Sequence, residues 1–76
     1  MIEELEIVVL TRDVPELALK AGDVGTVVHA YEDGSAYEVE FVAAEGRTVA
    51  LLTLRSSDVR AMGAEEILHV RKRVTA

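Results

Sequence analysis

The chain has no cysteine, a single proline and only three aromatic residues, two tyrosines and one phenylalanine. Without cysteine, neither a disulfide nor a thiolate metal site supports the fold, so apolar side chains must stabilise it. These make up 50% of the residues and charged side chains 29%, a balance typical of a globular chain. At 76 residues there is room for one core, so we expect a single domain over residues 1–76, without a cleft between two lobes.

Long apolar runs and basic residues are also scarce. The longest stretch without a charged residue or a histidine is Thr48–Leu54, far short of the roughly 20 residues that span a bilayer. The first residues carry acids where an export signal carries bases, and we expect a cytoplasmic protein with no membrane contact. The net charge of −6 opposes binding to nucleic acid. The one basic cluster, Arg71-Lys72-Arg73, is expected to be a solvated tail.

The first part of the chain predicts a strand followed by a long loop. The segment Glu6–Thr11 holds four consecutive apolar residues, three of them β-branched, which favours a strand buried on both faces. The segment Arg12–Asp23 contains turn-forming residues around Leu17 and Leu19, and we expect it to fold over one end of the domain with these leucines as its apolar contacts. One short helical turn opening at Pro15 is the alternative.

The clearest pattern is a β-hairpin formed by Val24–Tyr31 and Ala36–Val42. The connecting residues include Asp33-Gly34, the preferred pair for a type I′ turn, in which both central residues have positive φ. That turn would place Val28 opposite Val39.

This register sorts the hairpin into two faces. The apolar face is predicted to be core and carries Thr26, Val28, Ala30, Tyr37, Val39 and Phe41. The wet face carries Val27, His29, Tyr31, Glu38, Glu40 and Val42. A slip by one residue would bury Glu38 and Glu40, so the turn and the pattern support each other.

The second half of the chain predicts further short strands. The run Thr48–Leu54 is apolar on both faces, so either both are covered within the domain or one packs against a second chain. Asp58–Arg60 predicts a short strand or a 3₁₀ turn leading into one, and Ile67–Arg71 a last strand in preference to a helix opening near Ala64. We therefore predict an all-β fold, a small SH3-like barrel or partly open roll of five to six short strands.

A local motif supports this fold class. The segment Lys20-Ala21-Gly22-Asp23-Val24-Gly25-Thr26-Val27 resembles the Lys-x-Gly-Asp-x-Gly-Thr-Val pattern of SH3-like and KOW-type barrels. Gly22 and Gly25 permit tight backbone where the loop meets the strand, and Asp23 can accept hydrogen bonds from nearby amides. The same pattern occurs in ribosomal proteins, transcription elongation factors and the β subunit of nitrile hydratase, so it implies a fold and not a function.

A closer resemblance covers most of the chain. It rests on Glu4–Pro15, the Gly-Asp-x-Gly-Thr-Val strand, Tyr37–Phe41 and Ser57–Arg60. These segments resemble a family of short, uncharacterised bacterial proteins known only as a domain of unknown function. The resemblance implies no activity and no cofactor. It suggests a protein partner encoded nearby, in the manner of immunity or antitoxin proteins.

Residues with potential for chemistry are few. Glu38 and Glu40 stand about 6.5–7 Å apart along one strand face, a spacing that glycosidase carboxylates share, but this face is predicted to be wet and a general acid requires burial. His29 is predicted opposite Glu38, and a metal site there would need a third ligand, for which only His69 is a candidate. Ser57-Asp58 is typical of a turn rather than of a catalytic triad. We expect no catalytic, cofactor-binding or metal-binding residue.

The sequence therefore predicts a non-catalytic protein-interaction module that self-associates or binds a neighbouring gene product. The candidate contact residues are Val27, Tyr31, Val42, Val49, Leu51, Leu52 and Leu54. The residues assigned to structural turns are Gly22, Asp23, Gly25, Asp33 and Gly34. The alternative function is an RNA-binding or ribosome-associated KOW-like barrel, in which exposed aromatic side chains stack on bases.

Overall fold

A computed structural model describes residues 2–74 as a single antiparallel sheet. Its strands are β1 (Ile7–Leu10), β2 (Val24–Ala30), β3 (Ala36–Val42), β4 (Thr48–Arg55) and β5 (Val59–Ala61). They lie in the order β4-β3-β2-β1-β5, and 3₁₀ turns occur at Pro15–Leu17 and Ser56–Asp58. The all-β prediction is confirmed in its open form, because β4 and β5 end the sheet instead of joining. Among residues 2–74, no helix is long and apolar enough to cross a membrane.

The interior strand β1, which lies between β2 and β5, forms as the sequence predicts. Val8, Val9 and Leu10 are all buried, while Ile7 at the start of the strand is exposed. β1 pairs with β2 on one side and with β5 on the other, so its backbone is hydrogen-bonded along both edges. A run of apolar, mostly β-branched residues suits a strand that is covered on both faces.

The segment between β1 and β2 is a compact loop. Val14 and Leu19 form an isolated antiparallel bridge around the 3₁₀ turn at Pro15–Leu17, and Ala18 closes the turn with a φ of 56°. Leu19 is buried and Leu17 packs against the core, so both predicted contacts form. The loop and the short helical turn, which were alternatives at the sequence level, occur together.

The β2–β3 connection differs from the predicted turn. Tyr31 accepts a hydrogen bond from the amide of Gly34 at 2.9 Å and donates its own amide to Ala36 at 3.1 Å. Gly34 has a φ of 73°, whereas Asp33 does not lie in the left-handed region. Instead, the Asp33 carboxylate accepts hydrogen bonds from the amide and hydroxyl of Ser35. The type I′ assignment, which required positive φ at both residues, is therefore wrong.

The predicted register holds only near the hairpin end. His29 pairs with Glu38 and Ala30 with Tyr37, as predicted. A bulge between Val27 and His29 then shifts the ladder, so that Val39 faces Val27 and not Val28. At a bulge, two residues of one strand lie opposite one residue of its partner. The residues of β2 before the bulge therefore point to the opposite face of the sheet from the one predicted.

The bulge corrects the predicted core of β2. Val27, predicted to be outward, is fully buried, and Val28, predicted to be core, is 40% exposed. The doublet of adjacent valines satisfies the hydrophobic pattern in either register, so alternation alone does not distinguish them. On β3 the prediction is confirmed: Tyr37, Val39 and Phe41 are all buried.

The core lies on one face of the sheet and includes the loop before β2. Its buried members are Val8, Leu10, Val14, Leu19, Val27, Tyr37, Val39, Phe41, Ala50, Leu54 and Val59. On β4, Ala50 and Leu54 are therefore inward, with Leu52 partly buried on the same face. Every one of these side chains belongs to residues 8–59.

The chain after β5 is irregular. The last strand predicted over Ile67–Arg71 does not form, and the alternative helix near Ala64 is absent as well from the described residues. Residues 62–74, here called the C-terminal strap, run back along the domain without a strand ladder. Apolar residues within the strap had favoured a strand, but their side chains are exposed and no neighbouring strand edge pairs with them.

Candidate interaction surface

The two edges of the sheet have different character. β5 is three residues long, includes Arg60 and is followed directly by the strap. β4 is eight residues long and carries no charge from Thr48 to Leu54. Within residues 2–74, no strand pairs with the outer edge of β4. Short, charged edges resist pairing with another chain, whereas a long uncharged edge is a template for it.

One large apolar side chain projects from the outer face of this edge. Leu51 is 58% exposed and lies opposite Glu40 on β3. The Glu40 carboxylate accepts a hydrogen bond of 2.6 Å from the hydroxyl of Thr48, the first residue of β4. Val42 at the end of β3 is 50% exposed. The outer face near β4 therefore combines isolated apolar side chains with satisfied polar ones.

The structure separates the predicted contact residues into exposed and buried sets. Val27 and Leu54 are buried and cannot contact a partner, so the assignment of Val27 to the surface is wrong. Val49 and Leu52 are partly buried and pack against the core. The exposed members are Tyr31, Val42 and Leu51. The outward face of β4 is therefore the face that carries Leu51.

The polar residues of the hairpin lie close together on the outer face. The ring of His29 packs edge to face against Tyr31, with centroids 5.0 Å apart, and its Nδ1 lies 3.4 Å from a carboxylate oxygen of Glu4. The hydroxyl of Tyr31 donates to Glu38 at 3.3 Å. No group of three or more potential metal ligands is found in the part of the chain described. Only the Tyr31–Glu38 contact joins the two arms of the hairpin; the other two join His29 to its near neighbour Tyr31 and to Glu4, which precedes β1.

The two glycines of the predicted turn motif before β2 have different roles in the structure. Gly22 has a φ of 95°, which favours glycine, and Asp23 accepts the amide of Lys20 at 2.8 Å. Gly25 lies within β2 rather than in a turn. A Cβ placed on it would come within 2.6 Å of Val39 and 2.9 Å of Phe41, so this glycine permits close packing of β3 side chains.

A second carboxylate joins the start of the long loop to the turn before β5. Asp58 receives hydrogen bonds from the Arg12 guanidinium at 2.9 Å and from the amide of Arg55 at 3.2 Å. The bond from Arg12 holds the pKa of Asp58 below its usual range, against the opposing effect of burial. The predicted role of Ser57-Asp58 in turn chemistry is confirmed, because Asp58 caps the 3₁₀ turn at Ser56–Asp58.

The basic cluster is attached to the domain, which the sequence reading missed. The guanidinium of Arg71 donates two hydrogen bonds to the carboxylate of Asp23, with Nε 2.8 Å from Oδ1, and this bidentate ion pair is called the Arg71–Asp23 fork. The same guanidinium also donates to the carbonyl of Ala18 at 3.0 Å. Arg73 donates to the carbonyl of Leu17 at 3.0 Å. The prediction of a solvated tail is therefore wrong for these two arginines. An acidic motif residue and a distant basic cluster were the only sequence signals for this contact.

The fork changes the protonation behaviour of Asp23. Burial alone raises the pKa of Asp23, but hydrogen bonds from Arg71 and from the Lys20 amide outweigh burial and lower it. The carboxylate in turn raises the pKa of Arg71. Both groups are charged at neutral pH.

Fold and surface together define the class: a small all-β domain with one open antiparallel sheet, one protected edge and one uncharged edge. A family model described as "Domain of unknown function (DUF4926)" matches residues 4–61, and the chain belongs to that family. The match ends with the last residue of β5, so the strap lies outside it. No curated protein and no solved structure is detectably similar to the chain.

Proposed function

We propose that this protein is a non-catalytic interaction module that pairs with a second copy of itself along the outer edge of β4. The observation that carries the proposal is the contrast between the two sheet edges. Natural proteins prevent pairing at sheet edges with charged residues, prolines or short strands. β5 has two of these features, because it is three residues long and contains Arg60. β4 has none of them over Thr48–Leu54.

The distribution of charge explains why two copies would meet at this edge rather than elsewhere. The whole chain carries a net charge of −6, so two copies repel each other over most orientations. The stretch Thr48–Leu54 of β4 carries no charge, so their backbones can approach there without placing like charges opposite one another. Two antiparallel β4 strands related by a two-fold axis would place both Leu51 side chains on the same face of a continuous sheet.

The same contrast favours a closed dimer over an open-ended fibre. Pairing along β4 uses the long edge of each copy. The joined sheet then ends on both sides at β5, which is short and contains Arg60. Because that edge resists further pairing, association stops at two copies.

A matched pair of variants tests the interface. Thr53 of β4 and His29 of β2 lie on opposite sides of Glu38 in the sheet, and both side chains are exposed. Thr53→Lys adds a positive charge at the edge strand, whereas His29→Lys adds it beside the same glutamate on an interior strand. Both lysines can pair with Glu38, so we expect both variants to fold.

Light scattering after size-exclusion chromatography at tens of micromolar is the measurement. We expect a dimer for the wild type and for His29→Lys, and a folded monomer for Thr53→Lys and Leu51→Lys. A wild-type monomer at this concentration overturns the proposal, as does a dimer that persists in Thr53→Lys. A salt-sensitive complex with RNA formed by the monomer would instead favour the nucleic-acid alternative.

A further inference from the structure

The C-terminal strap is held to the domain by arginines rather than by apolar packing. Its four large apolar side chains are Ile67, Leu68, Val70 and Val74, which are 88%, 60%, 91% and 74% exposed. Among the described residues, no backbone amide from 67 to 74 donates to a backbone carbonyl. The contacts that fix this part of the strap are those of Arg71 and Arg73 with the loop before β2.

The start of the strap is anchored separately. Arg60 of β5 forms two hydrogen bonds of 2.7 Å with the carboxylate of Glu66, which also accepts the amide of Gly63 at 2.6 Å. This small ring of contacts closes within residues 60–66 and involves no other part of the domain. It therefore provides a fixed base from which the rest of the strap departs, and that base does not depend on Arg71.

A groove lies between the strap and the end of the sheet. Leu68 and Val70 of the strap form one wall. The opposing surface includes Leu19, Val24, Phe41, Val42 and Val49. Displacement of the strap would remove one wall of this groove.

We propose that residues 67–74 of the strap open and close as a unit on the fixed domain, with the Arg71–Asp23 fork as the latch. Ordering a chain segment costs backbone entropy, which must be offset by its contacts. Here the contacts are few, polar and concentrated at one loop, the hallmark of a segment that opens locally without unfolding the core. The opened state removes one wall of the groove. This inference does not depend on dimer formation.

The latch can be removed by single substitutions that leave every core residue unchanged. Arg71→Gln deletes the fork but leaves Asp23 free to accept the Lys20 amide. Arg71→Lys keeps the charge but loses the two-pronged geometry. Arg47→Gln is the control, because it removes an exposed ion pair with Glu45 in the β3–β4 turn, away from the strap.

Backbone ¹⁵N relaxation is the primary measurement. We expect order parameters for residues 67–73 near those of the domain, about 0.85, in the wild type and in Arg47→Gln. They should fall below about 0.6 in Arg71→Gln and take intermediate values in Arg71→Lys. Trypsin cleavage after Lys72 and Arg73 should accelerate in the same order.

Three results would overturn the inference. The first is a strap in Arg71→Gln as ordered as in the wild type. The second is a wild-type strap already below about 0.6, which would mean that the Arg71–Asp23 contact does not hold the strap in place. The third is a loss of order in Val8, Val27 and Val39 together with the strap, which would mean that the whole domain opens. Asp23→Asn provides a second variant on the other side of the same contact.

Discussion

Val27 lies opposite Val39 in the β2–β3 ladder, and both side chains are completely buried. The next residue, Val28, is displaced by a bulge and is 40% exposed. Two identical, adjacent residues thus occupy opposite environments. This arrangement provides a direct test of the register.

Val27→Ala should destabilise the domain by about 2 kcal/mol, because it removes two fully buried methyl-sized groups and leaves a cavity. Val28→Ala is the matched control and should change stability by less than about 0.5 kcal/mol. Urea unfolding followed by circular dichroism gives both values. A greater loss for Val28→Ala would show that the bulge is absent and that the simple alternating register is correct.

Gly25→Ala should destabilise by about 1–3 kcal/mol through overpacking. Its Cβ would lie 2.6 Å from a methyl carbon of Val39 and 2.9 Å from the ring of Phe41. The cause is steric, since Gly25 is not in the left-handed region. Trimming the neighbour should therefore reduce the additional cost, so Gly25→Ala should cost less in a Val39→Ala background than in the wild type. Equal costs in both backgrounds would exclude the steric cause.

Gly34→Val should destabilise by about 1 kcal/mol or more for a different reason. Gly34 has a φ of 73° and no atom near the position of a Cβ, so the cost is conformational. Gly34→Asn should lose less, because asparagine tolerates this conformation. Thermal unfolding of the two variants measures the difference. Equal losses would indicate that the backbone is not held in the left-handed region.

The Glu66 carboxyl should titrate far below its ordinary pKa of 4.5. Hydrogen bonds from Arg60 and from the Gly63 amide lower the pKa of Glu66 to about 2. These hydrogen bonds favour the charged form of Glu66 in the folded protein. The contribution of Glu66 to folding stability is therefore complete at pH values above its ordinary pKa. It is lost as the pH falls through about 2.

Carbon-detected NMR of the Glu66 carboxyl group measures this pKa directly. Arg60→Gln should return the midpoint toward 4.5, while Arg47→Gln should leave it low. A wild-type midpoint near 4.5 would mean that the Arg60–Glu66 contact does not persist in solution. The strap would then lack its fixed base.

Local patterns in the sequence determined much of the sheet. The consecutive β-branched residues of β1 and the alternation of Tyr37, Val39 and Phe41 on β3 each have one favourable solution, and the turn-forming residues between the strands mark where the strands end. A strand that is apolar on every second position buries one face, as β3 does, and the apolar run of β1 is covered on both. These features predicted the all-β fold and most of its core.

Tertiary structure decided the features for which the local pattern allows two answers. Either Val27 or Val28 satisfies the pattern of β2, and the bulge selects Val27. Either face of β4 could have been inward, and pairing with β3 leaves Leu51 outside because its neighbour Glu40 lies on the wet face. The Arg71–Asp23 contact joins residues 48 positions apart, and no local preference encodes such a pair. Packing and long-range charge pairing, which depend on the assembled sheet, determined all three.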